Sequence, residues 1–495
     1  MSASGLAPPQ LVIEQGLSEA GGDPCIVMVQ ESSEVEFRFA NNSPTTNGSR
    51  IDRQVTVVRF ADISSPTGGT RGDVMAAGVV GAAGDVDIAA MVTSAGHDAR
   101  HSAPASDAQP LLEGGADGAF TLPPPMTGVG ALDAVADELF GALARSRSQP
   151  GGALLAGYAE HRVVTTYLGS STGLRRRHVQ PTGAFHLAGR SRDGSRSSWA
   201  GAASSDLGDI SIDQLEESVL HGLRRAERHI ELDAGRYEVI LPPEAVADLM
   251  VALIDAAGGP DAEEGRTVFS VHGSDRDPGP GPRSGISGPH PPSVRRRTRV
   301  GEMISTLPFD LWSDPDEPGL ECAPFLATPA SSSDVSVFDN GLPLGRTTWV
   351  SHGRISTLRY HRAGARRSGV PVAAPGDNLV LDLPGACATL SDMVADTERG
   401  LLLTCLWYIR EVDPTTLLLT GLTRDGVYVV EDGQVVGATN NFRFNESPVD
   451  LLARTTEAGR SVRTLGREFG EWMNRTRMPT LRIPDFHMSS VSPAS

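Results

Sequence analysis

The feature that most constrains the fold of this chain is a strand-rich stretch near its C-terminal end, Gly400–Thr439. Two short strand-like runs, Val427–Val430 and Gln434–Val436, flank the dipeptide Asp432-Gly433. Aspartate followed by glycine favours a type I′ turn, because both turn residues need a positive φ. The continuous apolar run Gly400–Leu406 has the pattern of a buried strand. The stretch therefore predicts a hairpin within a largely buried sheet.

Length and charge limit the number of domains and the class of partner. The chain has 495 residues, of which 39% are hydrophobic, enough for two or three domains with real cores. Its formal net charge of -18 repels phosphate backbones, so we expect no nucleic-acid partner. The sequence contains no lysine. This excludes Schiff-base chemistry, a Walker-type phosphate lysine and a Ser-Lys dyad.

The cysteines and the apolar runs indicate the compartment. Cys25, Cys322, Cys387 and Cys405 are widely spaced and form no CxxC pair, which argues against a zinc ribbon or a thioredoxin motif. The N-terminus lacks the charged and apolar segments of a signal peptide, and no apolar run reaches the ~20 residues of a membrane span. We therefore expect a reduced, cytoplasmic protein without a membrane partner.

The first half of the chain alternates between strand and helix patterns. Val35–Phe39 alternates strictly between apolar and polar residues, which predicts a half-buried strand. The Ala-rich run Met75–Met91 is interpreted as a helix with a Gly-rich break. Ile212–Ile230 has apolar residues at helical spacing, and Ser211 with Gln214 resembles a capping box at its start. We predict an N-terminal α/β domain with a mixed sheet and helices over residues 1–232.

The second half is dominated by short strand-like segments. A strand at Tyr237–Leu241 is followed by Pro242-Pro243 and an apolar helical stretch to Ala257. Residues 273–292 are too rich in proline and glycine for regular structure and predict a long loop. The remaining strands recur with turns between them, which favours a barrel-like domain. We predict an α+β protein whose residues 233–495 form a β-rich, barrel-like C-terminal domain.

The order of several weak motifs resembles the TldD/TldE (PmbA) family. Tyr167–Gly173, Gly235–Leu241, Thr328-Pro329 with Asp334–Asn340, and Gly353–Arg367 each resemble a segment of that family, and the last ~100 residues match best. The resemblance extends over about 400 residues. It implies the TldD/PmbA fold, and a two-subunit zinc peptidase in which one chain carries the metal and the other does not.

The resemblance also identifies where the zinc ligands should be. In the catalytic subunits of the family, an HExxxH helix follows the strand that matches Tyr237–Leu241. Its two histidines bind zinc, and its glutamate activates the metal-bound water. Here Glu244 lies where that glutamate stands, and Pro243 and Asp248 replace the histidines. Proline cannot bind a metal, and one carboxylate alone does not hold zinc. We therefore expect no metal and no catalytic residue in this chain.

A few other side chains could form a peptide groove or a remnant of the site. Cys405 lies near the position of the family's cysteine ligand. It is either a buried structural residue or a nucleophile that would need His352 or His361. Trp407 and Tyr408 follow in the same strand, where they either pack in the core or line a groove. His178 and His186 flank a predicted turn and could face each other across a hairpin.

These expectations lead to one preferred function and two alternatives. The resemblance implies a TldE-like, non-catalytic subunit that pairs with a TldD-like zinc peptidase and helps to bind extended peptides. Family substrates include leader peptides and small unstable proteins. Zinc is then expected only in the partner. One alternative is a divergent stand-alone enzyme that uses Cys405 or a new metal site, and the other is a non-catalytic peptide-binding homodimer.

Overall fold

The structure is a computed structural model that describes residues 6–62, 75–148, 152–271 and 298–492. The Pro/Gly-rich loop predicted near 273–292 lies outside the described residues. Within these ranges, none of the helices combines the length and apolar character that a membrane span requires. The first and second halves below are residues up to 232 and from 233, the predicted domain boundary.

In the described part of the first half, six strands form one sheet, and four helices accompany it. They are β1 (Cys25–Ala40), β2 (Ser43–Asp62), β3 (Met75–Ala83), β4 (Leu154–Ser170), β5 (Arg175–Arg190), β6 (Ser197–Ser204), α1 (Pro9–Glu19), α2 (Ile88–His101), α3 (Asp133–Ser148) and α4 (Ile212–Arg225). The short strand β7 (His229–Ile230) follows α4 and joins a sheet of the second half.

The second half is mostly strands joined by short helices. The strands are β8 (Gly235–Leu241), β9 (Asp310–Ser313), β10 (Thr347–Ser351), β11 (Arg354–Ile355), β12 (Leu379–Asp382), β13 (Arg399–Leu403), β14 (Leu406–Asp413), β15 (Leu418–Thr423), β16 (Val427–Glu431), β17 (Gln434–Thr439), β18 (Phe442–Glu446), β19 (Glu457–Ala458), β20 (Val462–Thr464), β21 (Thr476–Met478) and β22 (Leu481–Val491). The helices are α5 (Pro243–Asp255), α6 (Gly259–Glu263), α7 (Arg362–Ser368), α8 (Leu390–Ala395) and α9 (Pro448–Arg454).

The first half is built on one antiparallel sheet with the order β3-β2-β1-β4-β5-β6. Successive side chains of a strand point to opposite faces. Val27 and Val55 therefore share a core with α1 and α2, while Ile26 and Met28 contact Phe338 of the second half. The strand β6 is the sheet's edge in the described chain, and it borders the candidate site.

The second half contains two open sheets. The larger has the order β14-β15-β18-β22-β8-β13-β16-β17-β7, with β19 paired to β22, and the smaller has the order β11-β10-β9-β12-β21-β20. Both are mixed, because β8–β13, β17–β7 and β12–β21 are parallel pairs. Between these sheets the main hydrophobic core surrounds α5, and Ala245, Leu249 and Leu253 are fully enclosed.

The predicted α+β class is confirmed, with two corrections of detail. The sheet of the first half is antiparallel throughout, and the mixed sheets lie in the second half. The strands of the described second half form open sheets and do not close, so "barrel-like" holds only loosely. The predicted hairpin is confirmed: β16 and β17 pair across Asp432 and Gly433, whose φ angles are 47° and 75°.

Two local predictions were wrong for physical reasons. The Ala-rich run Met75–Met91 forms β3 and the start of α2, not one helix. A Cβ at Gly78 would lie 2.1 Å from the Ala95 carbonyl oxygen, so small residues here let α2 pack directly on the strand. The run Gly400–Leu406 is interrupted at Thr404 and Cys405, which connect β13 to β14.

Candidate functional site

The candidate site is centred on α5, which follows β8 directly. Pro243 is the first residue of the helix, where its missing N–H costs nothing and its fixed φ suits the helical turn. Glu244 occupies the first turn, and Asp248 follows about one turn later on the buried side. Pro243, Glu244 and Asp248, which the resemblance matches to the HExxxH motif, thus lie on a helix in the structure.

Both side-chain oxygens of Asp248 accept hydrogen bonds from backbone N–H groups. Its Oδ2 accepts hydrogen bonds from the backbone N–H groups of Arg467 (3.0 Å) and Glu468 (3.1 Å), and its Oδ1 accepts from Phe469 (2.9 Å). A Cβ at Gly466 would lie 2.4 Å from Oδ1, so glycine is required for this approach. Burial raises the pKa of Asp248 to about 7, although these hydrogen bonds lower it.

Cys405 lies in the link between β13 and β14 and is 1% exposed. Its thiol donates a weak hydrogen bond to the Leu406 carbonyl, with an Sγ–O distance of 3.7 Å. Burial raises its pKa well above the usual value, with a further increase from the charge of Asp425. A thiol in this state is neutral near pH 7 and is a poor nucleophile or metal ligand.

Trp407 and Tyr408 have different surroundings in β14, and the strand is irregular at Tyr408, whose φ is 55°. The Arg467 guanidinium stacks between two indoles, 4.5 Å from the centre of Trp407 and 5.1 Å from that of Trp199 in the first half. Tyr408 is 55% exposed, and its backbone N–H donates to Glu468 Oε2 at 2.9 Å. Trp407 therefore helps to join the halves, while Tyr408 belongs to the outer surface.

His352 and His361 have local contacts away from Cys405. His352 is exposed on the β10–β11 turn, with its backbone N–H donating to Asp310 at 2.8 Å. His361 is buried at the start of α7, where its Nδ1 accepts from the Gly364 N–H at 3.1 Å. The hydrogen bond of the Cys405 thiol goes to the Leu406 carbonyl, and the described contacts of His352 and His361 are with other residues. The structure therefore does not bring a histidine partner to this thiol.

The predicted turn between His178 and His186 is absent, because both lie on the continuous strand β5. His178 contacts Gln180 at 3.0 Å, and the ring of His186 stacks on Tyr158 at 4.5 Å. Burial lowers the pKa of His186 to about 4. The described residues contain no group of three or more histidine, cysteine or acidic side chains that could hold a metal.

The residues at the family's zinc position do not suit a zinc ion. Zinc needs three or four donors that are free to bind it. Pro243 offers none, the Asp248 carboxylate is held by three N–H groups, and the Cys405 thiol is held in its neutral form.

A cavity of about 540 Å³, here called the central cavity, lies between the two halves beside this helix. Ser198–Gly201 of β6 and the outer face of α4 line one side. The start of α5 and residues of α8, β13 and β16 line the other. Of the seven predicted site residues, all of which are described, Glu244 is the one that lines it.

Glu244 faces the central cavity from the first turn of α5. The side chain is partly accessible from the cavity, while protein atoms enclose it densely on the other sides. Burial raises its pKa. The pKa rises because the surrounding protein atoms disfavour the charged form of the carboxyl group.

Sequence reasoning missed two polar side chains of the central cavity. Arg225, at the end of α4, and Tyr428, in the middle of β16, both line it. The spacing of Arg225 one turn after His221 is visible in the sequence. Tyr428 lies next to α4 because the two halves pack against each other. No local sequence pattern predicts that packing.

Comparisons with known proteins place the chain in one family. The model of the PmbA/TldA metallopeptidase C-terminal domain matches residues 234–490. Among solved structures, the chain is similar to TldE from Thermococcus kodakarensis, with 17% identity, a TM-score of 0.70, and coverage of 97% of this chain and 99% of that one. No curated protein sequence matches the chain.

Two further structures show the same fold. One is a proposed modulator of a DNA gyrase from Thermotoga maritima, with 14% identity and a TM-score of 0.69. The other is a proposed modulator of DNA gyrase from Bacteroides thetaiotaomicron, with 13% identity and a TM-score of 0.69. In each case the match covers 97% of this chain and 99% of the other.

Proposed function

This chain belongs to the PmbA/TldD metallopeptidase family, and from that premise we propose that it is a metal-free subunit that pairs with a zinc-bearing relative. The zinc and the water it activates would be supplied by the partner. This chain would form part of the wall of the peptide-binding chamber. The family assignment itself indicates a role connected with proteolysis.

The observation that carries the proposal is the state of Asp248. It stands where the family's second histidine would lie, and its carboxylate binds three backbone N–H groups of the loop between β20 and β21. Replacing Asp248 with a zinc-binding histidine would leave three partly buried N–H groups without their acceptor, which is costly unless the loop moves. The helix that the family resemblance matches to a zinc-binding HExxxH helix here holds the loop between β20 and β21 in place.

The central cavity offers a binding mode for an extended peptide. The edge strand β6 lines it and has no strand partner on its outer side in the described chain. An exposed strand edge presents backbone N–H and C=O groups, and an extended peptide can pair with them irrespective of its sequence. This supports a role in which unfolded segments are held without strong side-chain selection.

The alternative of a stand-alone cysteine enzyme has less support. Its nucleophile would be a buried neutral thiol, and the histidines proposed to activate it have other contacts. The alternative of a peptide-binding homodimer uses the same cavity and differs only in the partner. It is distinguished by the assembly that the chain forms.

Co-expression tests the proposal. The chain is produced with an HExxxH-bearing relative from the same genome, and the products are separated by size-exclusion chromatography with light scattering. We expect a heteromer, and cleavage of an unfolded fluorogenic peptide only when both chains are present. The matched control replaces the HExxxH glutamate of the partner with glutamine, which preserves assembly and abolishes cleavage. A partner equally active alone, or a chain that forms only homodimers, would contradict the proposal.

A further inference from the structure

The central cavity contains a guanidinium group without a carboxylate partner. Arg225 is half-buried, lines the cavity, and within the described residues makes no ion pair or side-chain hydrogen bond. Arg145, by comparison, pairs with Asp213 and Glu216. We propose that Arg225 and Tyr428 form a subsite of the central cavity that binds a carboxylate group of a peptide.

Tyr428 supplies the second donor of this subsite. Its ring is 1% exposed, and its hydroxyl has no hydrogen-bond partner of regular geometry in the described chain. The Ser198 hydroxyl lies close enough to lower the pKa of the phenol, but the pair falls short of that geometry. A buried hydroxyl without a partner is costly, and a bound acceptor removes that cost.

Glycine at position 222 lets α4 approach the hydroxyl groups of Tyr428 and Ser198 closely. A Cβ there would lie 2.8 Å from the Tyr428 hydroxyl and 2.2 Å from the Ser198 hydroxyl. Because Gly222 has no side chain, α4 can lie against β16 and β6, and Arg225 follows three residues later at the end of the helix. Arg224 lies in the same turn and is exposed. An arginine can therefore complement the helix dipole here without being half-buried, as Arg225 is.

The charges that face the subsite favour an anion. Burial lowers the pKa of Arg225, but arginine stays protonated in proteins. Burial raises the pKa of Tyr428 to about 12, so the phenol keeps its proton. The other titratable residues that line the cavity are His221 on α4 and Glu244 on α5, and burial raises the pKa of Glu244. Among the described residues that line the cavity, Arg225 is the arginine and Glu244 is the acidic residue.

A carboxylate is the natural ligand of such a pair. The arginine fork donates two parallel hydrogen bonds to a carboxylate, and the phenol can donate a third. In an extended peptide the group is either the C-terminal carboxylate or the side chain of an acidic residue. This inference rests on the proposed function, because it takes the occupant of the cavity to be an extended peptide.

Peptide binding to the purified full-length chain tests the inference. Three dye-labelled heptapeptides share one Ala/Ser/Thr sequence, and their binding is measured by fluorescence anisotropy. The first has a free C-terminal carboxylate, the second a C-terminal amide, and the third an amide with glutamate as its last residue. The protein variants are Arg225→Gln, Tyr428→Phe and the matched control Arg224→Gln. Affinity for the neutral amide peptide reports whether each variant retains its fold.

We expect the wild type and Arg224→Gln to bind the free-acid peptide at least about tenfold more tightly than the amide. Arg225→Gln should bring this ratio close to one, and Tyr428→Phe should reduce it several-fold. The glutamate peptide shows whether a side-chain carboxylate serves as well as the terminal one. Equal affinity for acid and amide, or a preference that persists in Arg225→Gln, overturns the subsite but leaves the proposed function. Failure of all three peptides to bind also overturns the subsite, whereas the proposed function is decided by the co-expression experiment.

Discussion

The carboxylate of Asp248 and the backbone N–H of Phe469 are joined by a hydrogen bond of 2.9 Å in the interior of the second half. Together with the bonds from Arg467 and Glu468, it ties α5 to the loop between β20 and β21. Arg467 in turn stacks against Trp199 of the first half. A residue at the position of a zinc ligand therefore contributes to the contact between the halves.

Asp248→Asn should change how stability depends on pH. Burial raises the pKa of Asp248 to about 7 in the folded chain, against an ordinary value of 3.8. The folded state therefore retains a proton that the unfolded state releases, and the unfolding free energy falls as the pH rises from about 4 to about 7. Asparagine does not titrate. Between pH 4.5 and pH 8 the wild type should lose about 3 kcal/mol more than Asp248→Asn in urea unfolding.

The control for this experiment is Asp316→Asn, at an exposed aspartate in the same half. It should retain the pH dependence of the wild type. If Asp248→Asn and the wild type lose the same unfolding free energy over this interval, Asp248 is ionised in the folded chain and its assigned protonation state is wrong.

Gly466→Ala should destabilise the chain although the residue has an ordinary φ. The new Cβ would lie 2.4 Å from Asp248 Oδ1, and that carboxylate cannot retreat without losing its three N–H partners. Overpacking of this kind costs about 1–3 kcal/mol. The matched control is Gly48→Ala, because a Cβ there meets nothing within 4 Å. Thermal unfolding of both variants measures the difference, and equal midpoints would show that the loop adapts freely.

Arg362→Ala should be among the most damaging single substitutions outside the apolar core. Arg362 donates to the fully buried Asp339 at 2.7 Å and also to the Pro110 carbonyl of the first half at 2.9 Å. Removing the arginine side chain leaves the buried carboxylate without its ion-pair partner, although the backbone N–H of residue 362 still donates to it at 2.8 Å. The loss of the ion-pair partner costs about 3–5 kcal/mol. The control is Arg50→Ala, which breaks a solvent-exposed pair with Asp52 and should change stability by less than about 1 kcal/mol. Similar unfolding midpoints for the two variants would contradict the structural role of Asp339.

Thiol labelling should separate a structural Cys405 from a catalytic one. Cys387 is exposed, whereas Cys25, Cys322 and Cys405 are buried, and burial raises the pKa of all three. Iodoacetamide at pH 7.5 should therefore modify Cys387 first, as read by mass spectrometry of the intact and digested chain. Denaturant should then expose the others. Rapid alkylation of Cys405 in the folded chain would contradict its structural role and support the alternative of a cysteine enzyme.

Sequence patterns recovered the elements whose structure is set locally. The Asp432-Gly433 turn was predictable because only a few residue types tolerate two consecutive positive φ angles. The start of α4 was predictable because the Ser211 hydroxyl accepts from the Gln214 N–H, at 3.4 Å. The helical stretch predicted after Pro242-Pro243 is likewise confirmed, as α5 (Pro243–Asp255).

The remaining features depend on contacts between distant segments. The sequence around Asp248 does not indicate that residues 467–469 donate to it, because 219 positions separate Asp248 from Arg467. The Ala-rich run before Ile88 suits a helix by composition, yet its small residues serve the packing of α2 on β3. That Arg225 and Tyr428 line the same cavity similarly depends on how the two halves pack together.

The zinc content of the purified proteins tests the central claim most directly. The chain alone and its complex with an HExxxH-bearing relative are analysed by inductively coupled plasma mass spectrometry, with peptidase activity assayed on the same samples. We predict fewer than about 0.1 zinc ions per molecule in the chain alone, and about one per heteromer in the active complex. Stoichiometric zinc and peptide cleavage in the chain alone would contradict the account.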